Sequence, residues 1–472
     1  MFDPVIAPSG TLLGLLQRGR GDGTLHALTA PRAEALAALD ACVLHDPRHD
    51  WQVENRSLYY ARLYLDLHGE LDAVEAHLFS PEDALDPEES RTGLALAVLG
   101  HLASYGRLDA LGMLRRYAAH GANWAWALDE LALRDDDAGL RALAAPVLAR
   151  FPRDAEGEAE LARTVSDAFE PRPWRLWADD PRASVATRVR AAREAGSFDR
   201  WQRQMRSCGP RPGWSVAAVL AWARQGVERG TPRHVPAARC LMAVAGPEDR
   251  PEIVEAARSG PEGARCTALR HLADANDPDA LDLIETAALT ATGPVVEAAV
   301  DAFERMRSLA AVDRARRWVH RPGPLGAAAA RVLACRGGVQ DRAPVLAALR
   351  DAVRGEGPDA STLWTLVDGA GRLGIGCAAP VLRHVYRETA SSHLRGRAAR
   401  ALAATDPSFA AGFAVECLWD CEESTREIAA RYAETGDSRV VERLRRLAAD
   451  PAEEDDVQTA VRSRFGPDAP AV

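Results

Sequence analysis

The chain has 472 residues, 47% of them hydrophobic and 27% charged, with a formal net charge of −10. That composition supplies ample core material and argues against dominant disorder or a chain-wide basic footprint for nucleic acid or anionic lipid. All 58 basic residues are arginine, so Schiff-base, Walker-type and kinase-type lysines are excluded outright. The bias toward arginine, alanine and glycine fits a high-GC genome, and a bacterial source is the expectation.

No run approaches the roughly 18 apolar residues that cross a bilayer. The apolar stretch at residues 12–16 is short and has no basic segment ahead of it, unlike a secretory signal. Eight scattered cysteines, with no CxxC pair, suggest reduced and mostly buried thiols in a cytoplasmic protein.

Along the N-terminal region, Arg20-Gly21-Asp22 matches an adhesion tripeptide and reads as a chance loop. His45 and His49 are spaced to share a metal on a helix, but Pro47 between them favours a surface loop. Residues 59–78 and 94–117 each read as helix, turn, helix. They share the phrase glycine, any residue, leucine, aspartate, alanine, at Gly69–Ala73 and again 37 residues later at Gly106–Ala110. Trp124 and Trp126 precede Leu128, Leu131 and Leu133 and read as core. Breaks are expected at 80–90, 153–160 and 171–181. No segment alternates with period two between hairpin turns, so no sheet is assigned.

Charge is distributed unevenly. Residues 1–171 hold 15 arginines and 28 acids, whereas residues 172–239 hold 14 arginines, five acids and five of the 11 tryptophans. Arginine beside tryptophan can grip phosphates by charge and bases by stacking. Trp174, Trp177, Arg188, Arg190, Arg193, Trp201, Arg203, Arg206 and Trp214 are therefore the candidate partner- or anion-binding patch. The competing reading pairs these arginines with the acids upstream and places the tryptophans in a seam between two sub-arrays.

Beyond residue 240 a repeat is legible. Ala268 to Leu272 precede Asp277-Pro278, and Ala398 to Leu402 precede Asp406-Pro407. In both, aspartate suits a helix cap and proline the first helical position. Weaker turn copies centre on Asp249, Asp341 and Gly376, with a degenerate one near Ser308. In the last unit, Ser424 and Glu427 form a candidate capping box, Gly436 a helix end, and Asp437 a cap for a second helix stopped by Pro451. These turns recur with a period close to 30 residues.

Segments 265–289 and 425–450 resemble HEAT repeats of the short kind found in phycobilisome lyases, and the resemblance covers residues 236–466. It implies an all-α fold, a right-handed α-solenoid of antiparallel helix pairs. The expected organisation is an irregular acidic helical region (1–171), the Arg/Trp-rich joining segment (172–239), HEAT-like repeats (240–466) and a tail (467–472).

Candidate chemistry is sparse. Gly369-Ala370-Gly371-Arg372-Leu373-Gly374 matches a dinucleotide fingerprint, but no strand precedes it, and an inter-helix turn is the expectation. Cys417 and Cys421 are four apart, with Cys417 on an apolar stripe. Deoxyhypusine hydroxylases, which are HEAT-repeat di-iron enzymes, use repeated His-Glu dipeptides; none occurs in this chain. No catalytic residue, metal or cofactor is assigned. The leading expectation is a non-enzymatic scaffold for a protein or peptide, with no membrane partner. The alternative is a nucleic-acid-binding protein using 172–239, as in the HEAT-like DNA glycosylases that this arrangement resembles.

Overall fold

A computed structural model describes residues 6–48, 51–84, 89–195 and 213–465. Among the described residues there are 28 α-helices and no strand. None of these helices is long and apolar enough to cross a membrane. Two compact units are present. One combines Met1–Arg206 with Arg387–Ala399 and Ser408–Val472, and the other combines Ser207–Tyr386 with Arg400–Pro407.

In the second unit helices come in pairs. Glu262–Asp274 is followed by Ala280–Thr290, Pro294–Arg305 by Leu309–Trp318, and Pro324–Arg336 by Arg342–Glu356. The leading helices form a row: Glu262–Asp274 packs on Pro294–Arg305, that on Pro324–Arg336, and that on Leu363–Arg372. Alanines such as Ala299, Ala302, Ala329 and Ala370 fill these seams with no exposure, which lets backbones approach closely.

That close approach explains the glycine-rich hexapeptide. Gly369 and Gly371 lie inside the Leu363–Arg372 helix. A Cβ on Gly369 would come within 2.4 Å of the Ala334 Cβ, and one on Gly371 within 2.9 Å of the Ala401 Cα. These glycines serve helix packing, and the turn follows only at Gly374, where φ is +60°.

The turn copies at Asp249, Asp341 and Gly376 coincide with short 3-10 helices at Pro247–Asp249, Val339–Asp341 and Gly376–Ala378. Ser308 caps Leu309–Trp318 by accepting from the Ala311 N–H at 3.3 Å. Asp437 likewise caps Ser438–Ala449.

Other local expectations are corrected. The Ser424–Glu427 capping box does not form: Ser424 donates to Glu422 instead, inside the helix Glu423–Tyr432. That helix stops before Gly436. Asp277 and Asp406 do not occupy the N-cap positions, although the Asp277 carboxylate accepts from the Asp279 N–H at 2.9 Å just ahead of Ala280–Thr290. Each instead receives a guanidinium from the preceding pair, Arg250 to Asp277 at 2.6 Å and Arg383 to Asp406 at 2.7 Å.

Those two contacts belong to a general device. Arg316 reaches Asp341 over 25 residues, Arg331 reaches Glu304 over 27, and Arg305 reaches Asp274 over 31. Arg336 donates to the Glu304 carbonyl at 3.0 Å and also to that of Met306, and Arg372 donates to the Leu333 and Ala334 carbonyls at 3.1 and 3.0 Å. These carbonyls sit at helix C-termini, where backbone donors run out and partial negative charge collects; the Leu333 carbonyl also accepts from the Gly337 N–H at 2.8 Å. A planar guanidinium can satisfy two of them at once. Spanning 23 to 39 residues, each clasp joins one helix pair to the next.

The first unit uses the same device with a longer stride. Arg107 reaches the Gly69 carbonyl over 38 residues, linking the two copies of the shared phrase. Arg150 reaches the carbonyls of Ala119 and Gly121, and Arg172 those of Ala132 and Asp135.

Within this unit the two ends of the chain also meet, which the sequence did not announce. The Gly21–Thr29 helix packs on Phe413–Cys417. Gly19 has φ of +68°, and a Cβ there would lie 2.3 Å from the Cys421 Sγ; one on Gly21 would lie 1.8 Å from the Glu416 carbonyl oxygen. Arg62 pairs with Asp450 at 2.7 Å and Glu453 at 3.2 Å, and the Tyr105 hydroxyl donates to Asp450 at 2.8 Å.

Candidate functional site

The Arg/Trp segment is spread over different environments. Trp174 and Trp177 are buried and pack edge to face at 4.9 Å, with the Trp177 indole N–H donating to the Leu140 carbonyl at 2.8 Å. Arg188 is clasped by Glu158 at 2.9 Å and by the carbonyls of Leu148 and Phe151. Arg190 lies 3.6 Å from Asp179, while Arg193 is exposed near the end of Ala183–Ala195. Trp214, in the other unit, is half-buried against Trp222 with ring centroids 5.2 Å apart. Trp201, Arg203 and Arg206 lie outside the described residues. Of the patch, Trp174 and Trp177 come together as core, and Arg188 joins the helix-end clasps.

His49 lies outside the described residues, and His45 stands edge-on to His77 at 6.0 Å. Arg20-Gly21-Asp22 is the start of a helix, not a loop, and Arg20 is buried against Glu416 at 3.0 Å. Cys417 is fully buried. Burial pushes the Cys421 thiol up to about 11, far from a reactive thiolate. Trp124 and Trp126 are half-buried and line a cavity of about 620 Å³ together with Leu133, Phe169 and Trp174. Beside them burial lifts the Glu130 carboxyl to about 7, despite Arg134 at 2.6 Å.

A polar cleft of about 380 Å³ lies in the first unit. Its walls come from segments far apart in sequence: Arg62 and Asp66 from Ser57–Asp66, His101 from Glu89–Ser104, Glu423 and Arg426 from Glu423–Tyr432, and Arg443 from Ser438–Ala449. The inner wall is cationic. Arg62 and Arg426 share Glu453, Arg426 at 2.6 Å.

Arg443 is the third guanidinium and has no carboxylate within ion-pairing distance among the described residues. Its Nε donates to the Leu418 carbonyl at 3.1 Å, and its guanidinium carbon lies 5.5 Å from the centre of the Trp419 ring. Burial, followed by repulsion from Arg62 and Arg426, pulls its pKa down to about 9. Burial, with Arg134 and Arg62 nearby, likewise holds His101 down at about 4, so that it is neutral at pH 7.

The rim is acidic. Asp66, Glu423 and Glu454 are exposed, line the cleft, and make no side-chain ion pair among the described residues. Burial and the neighbouring Glu454 and Glu422 raise the Glu423 pKa. The other rim carboxylates have close partners: His393 Nδ1 at 3.1 Å from Glu422, Arg56 at 3.0 Å from Glu54, and Arg395 at 2.7 Å from Asp420. The arrangement offers a polar recognition site with a cationic interior and an anionic mouth. Compared with family models, characterised proteins and solved structures, the chain gives no match.

Proposed function

We propose that this chain is a non-enzymatic interaction scaffold, a HEAT-like right-handed solenoid of helix pairs that holds a protein or peptide partner. The observation that carries the reading is the set of guanidinium clasps, each joining one helix pair to a neighbouring pair, some reaching back along the chain and some forward. Such an array distributes stability between neighbours and leaves its outward positions free to vary. Two outward positions support this. Leu309 and Val339 are 83% and 66% exposed and open the second helical segment of successive pairs. The clasping of Arg188 by Glu158 and by carbonyls at and just beyond the end of the Asp137–Leu148 helix favours this reading over nucleic-acid binding through residues 172–239.

The test is affinity capture with the full chain, followed by direct titration of the captured protein against the wild type and Leu309→Asp/Val339→Asp. The expected result is a saturable complex weakened at least about tenfold by the double substitution. A chain that instead shifts a nucleic-acid duplex at about 50 mM salt, and releases it as salt rises, would overturn the scaffold reading in favour of the alternative.

A further inference from the structure

Among the described residues, the 380 Å³ cleft combines one guanidinium with no carboxylate at ion-pairing distance, Arg443, with three carboxylates that have no cation at that distance, Asp66, Glu423 and Glu454. Its volume is in the range that encloses a small molecule or one residue of a peptide. An inorganic oxyanion would meet Arg443 but face the acidic rim, whereas a simple amine would meet the rim but face three arginines. The complementary ligand carries one carboxylate and more than one positive charge.

We propose that this cleft binds a basic α-amino acid unit, its carboxylate on Arg443 and its cationic groups toward Asp66, Glu423 and Glu454. The Arg443 guanidinium carbon lies 5.5 Å from the centre of the Trp419 ring, within cation–π range, and a guanidinium can meet a carboxylate at two points. Among the described residues the Leu418 carbonyl engages the Arg443 Nε and nothing engages its other donors. A free amino acid and the C-terminal residue of a peptide share this chemistry. The proposal goes beyond the scaffold reading and needs only the cleft, so failure to capture a partner leaves it standing.

The experiment is calorimetric titration of the full chain with L-arginine, argininamide and N-acetyl-arginine. L-Arginine is expected to bind and to weaken with added salt. Argininamide, which lacks the carboxylate, should bind at least about tenfold more weakly, as should L-arginine to Arg443→Gln. Retained binding of N-acetyl-arginine assigns the site to a peptide end, and its loss to a free amino acid; both support the cleft. No binding of L-arginine, equal binding of argininamide, or unchanged affinity in Arg443→Gln overturns the proposal. If circular dichroism shows that Arg443→Gln has lost its fold, Glu454→Lys on the exposed rim carries the same test: it should weaken L-arginine, and unchanged affinity is contrary.

Discussion

Arg395 and Asp420 form an ion pair closed to solvent on both sides, with Nε to Oδ2 at 2.7 Å and Nη2 to Oδ1 at 3.0 Å and neither side chain exposed. Truncating one partner strands the other charge in a medium that cannot solvate it. Arg395→Ala should therefore lower unfolding free energy by about 3–5 kcal/mol, as read by chemical denaturation. A loss below about 1 kcal/mol would show that the pair is hydrated in solution.

Arg372 tests the helix-end clasps. Its guanidinium bridges the Leu333 and Ala334 carbonyls, a two-point geometry that an ammonium cannot reproduce. Arg372→Lys keeps the charge yet should destabilise the chain by about 1–2 kcal/mol, with Arg372→Ala at least as harmful. Equal stability of wild type and the lysine variant would reduce the contact to simple charge.

Glu130 should make the chain less stable as pH rises. Burial lifts its carboxyl from 4.5 to about 7. Between those values the folded chain holds a proton that the unfolded chain has released, so stability declines as pH rises through the window. Glu130→Gln should flatten that slope and gain about 1–3 kcal/mol above pH 7. Melting temperature measured against pH for both chains decides this.

His101 acts at the acid end. Its pKa is held at about 4, against an ordinary 6.5, chiefly by burial. The folded chain resists protonation that the unfolded chain accepts, so stability is full above pH 6.5 and falls as pH drops toward 4. His101→Gln should remove part of that fall, and identical acid profiles would place the ring in water.

The helical class was legible because apolar spacing and turn chemistry recur locally, as at Ser308 and Asp437. Local rules misled where a side chain had a stronger distant partner: Asp277 and Asp406 look like caps, but arginines of the preceding pair claim them. The candidate patch was drawn from charge density along the chain. Density does not reveal that Arg188 ends on Glu158 and two carbonyls. The cleft was illegible because Asp66, His101, Glu423 and Arg443 lie on separate helices, each with the charged face any surface helix shows. Only the packing of the two chain ends within the first unit brings them together. The one local hint was Gly19 and Gly21, which have no room for a side chain.

Guanidinium groups join helices distant in sequence, and this is the central feature of the fold. It is tested most directly by a double-mutant cycle on Arg62 and Asp450, which are 388 positions apart and meet at 2.7 Å. Unfolding free energies of wild type, Arg62→Met, Asp450→Asn and the double variant should give a coupling of about 1–3 kcal/mol. A coupling indistinguishable from zero would mean that the two ends of the chain do not meet, and the clasped architecture would fall with them.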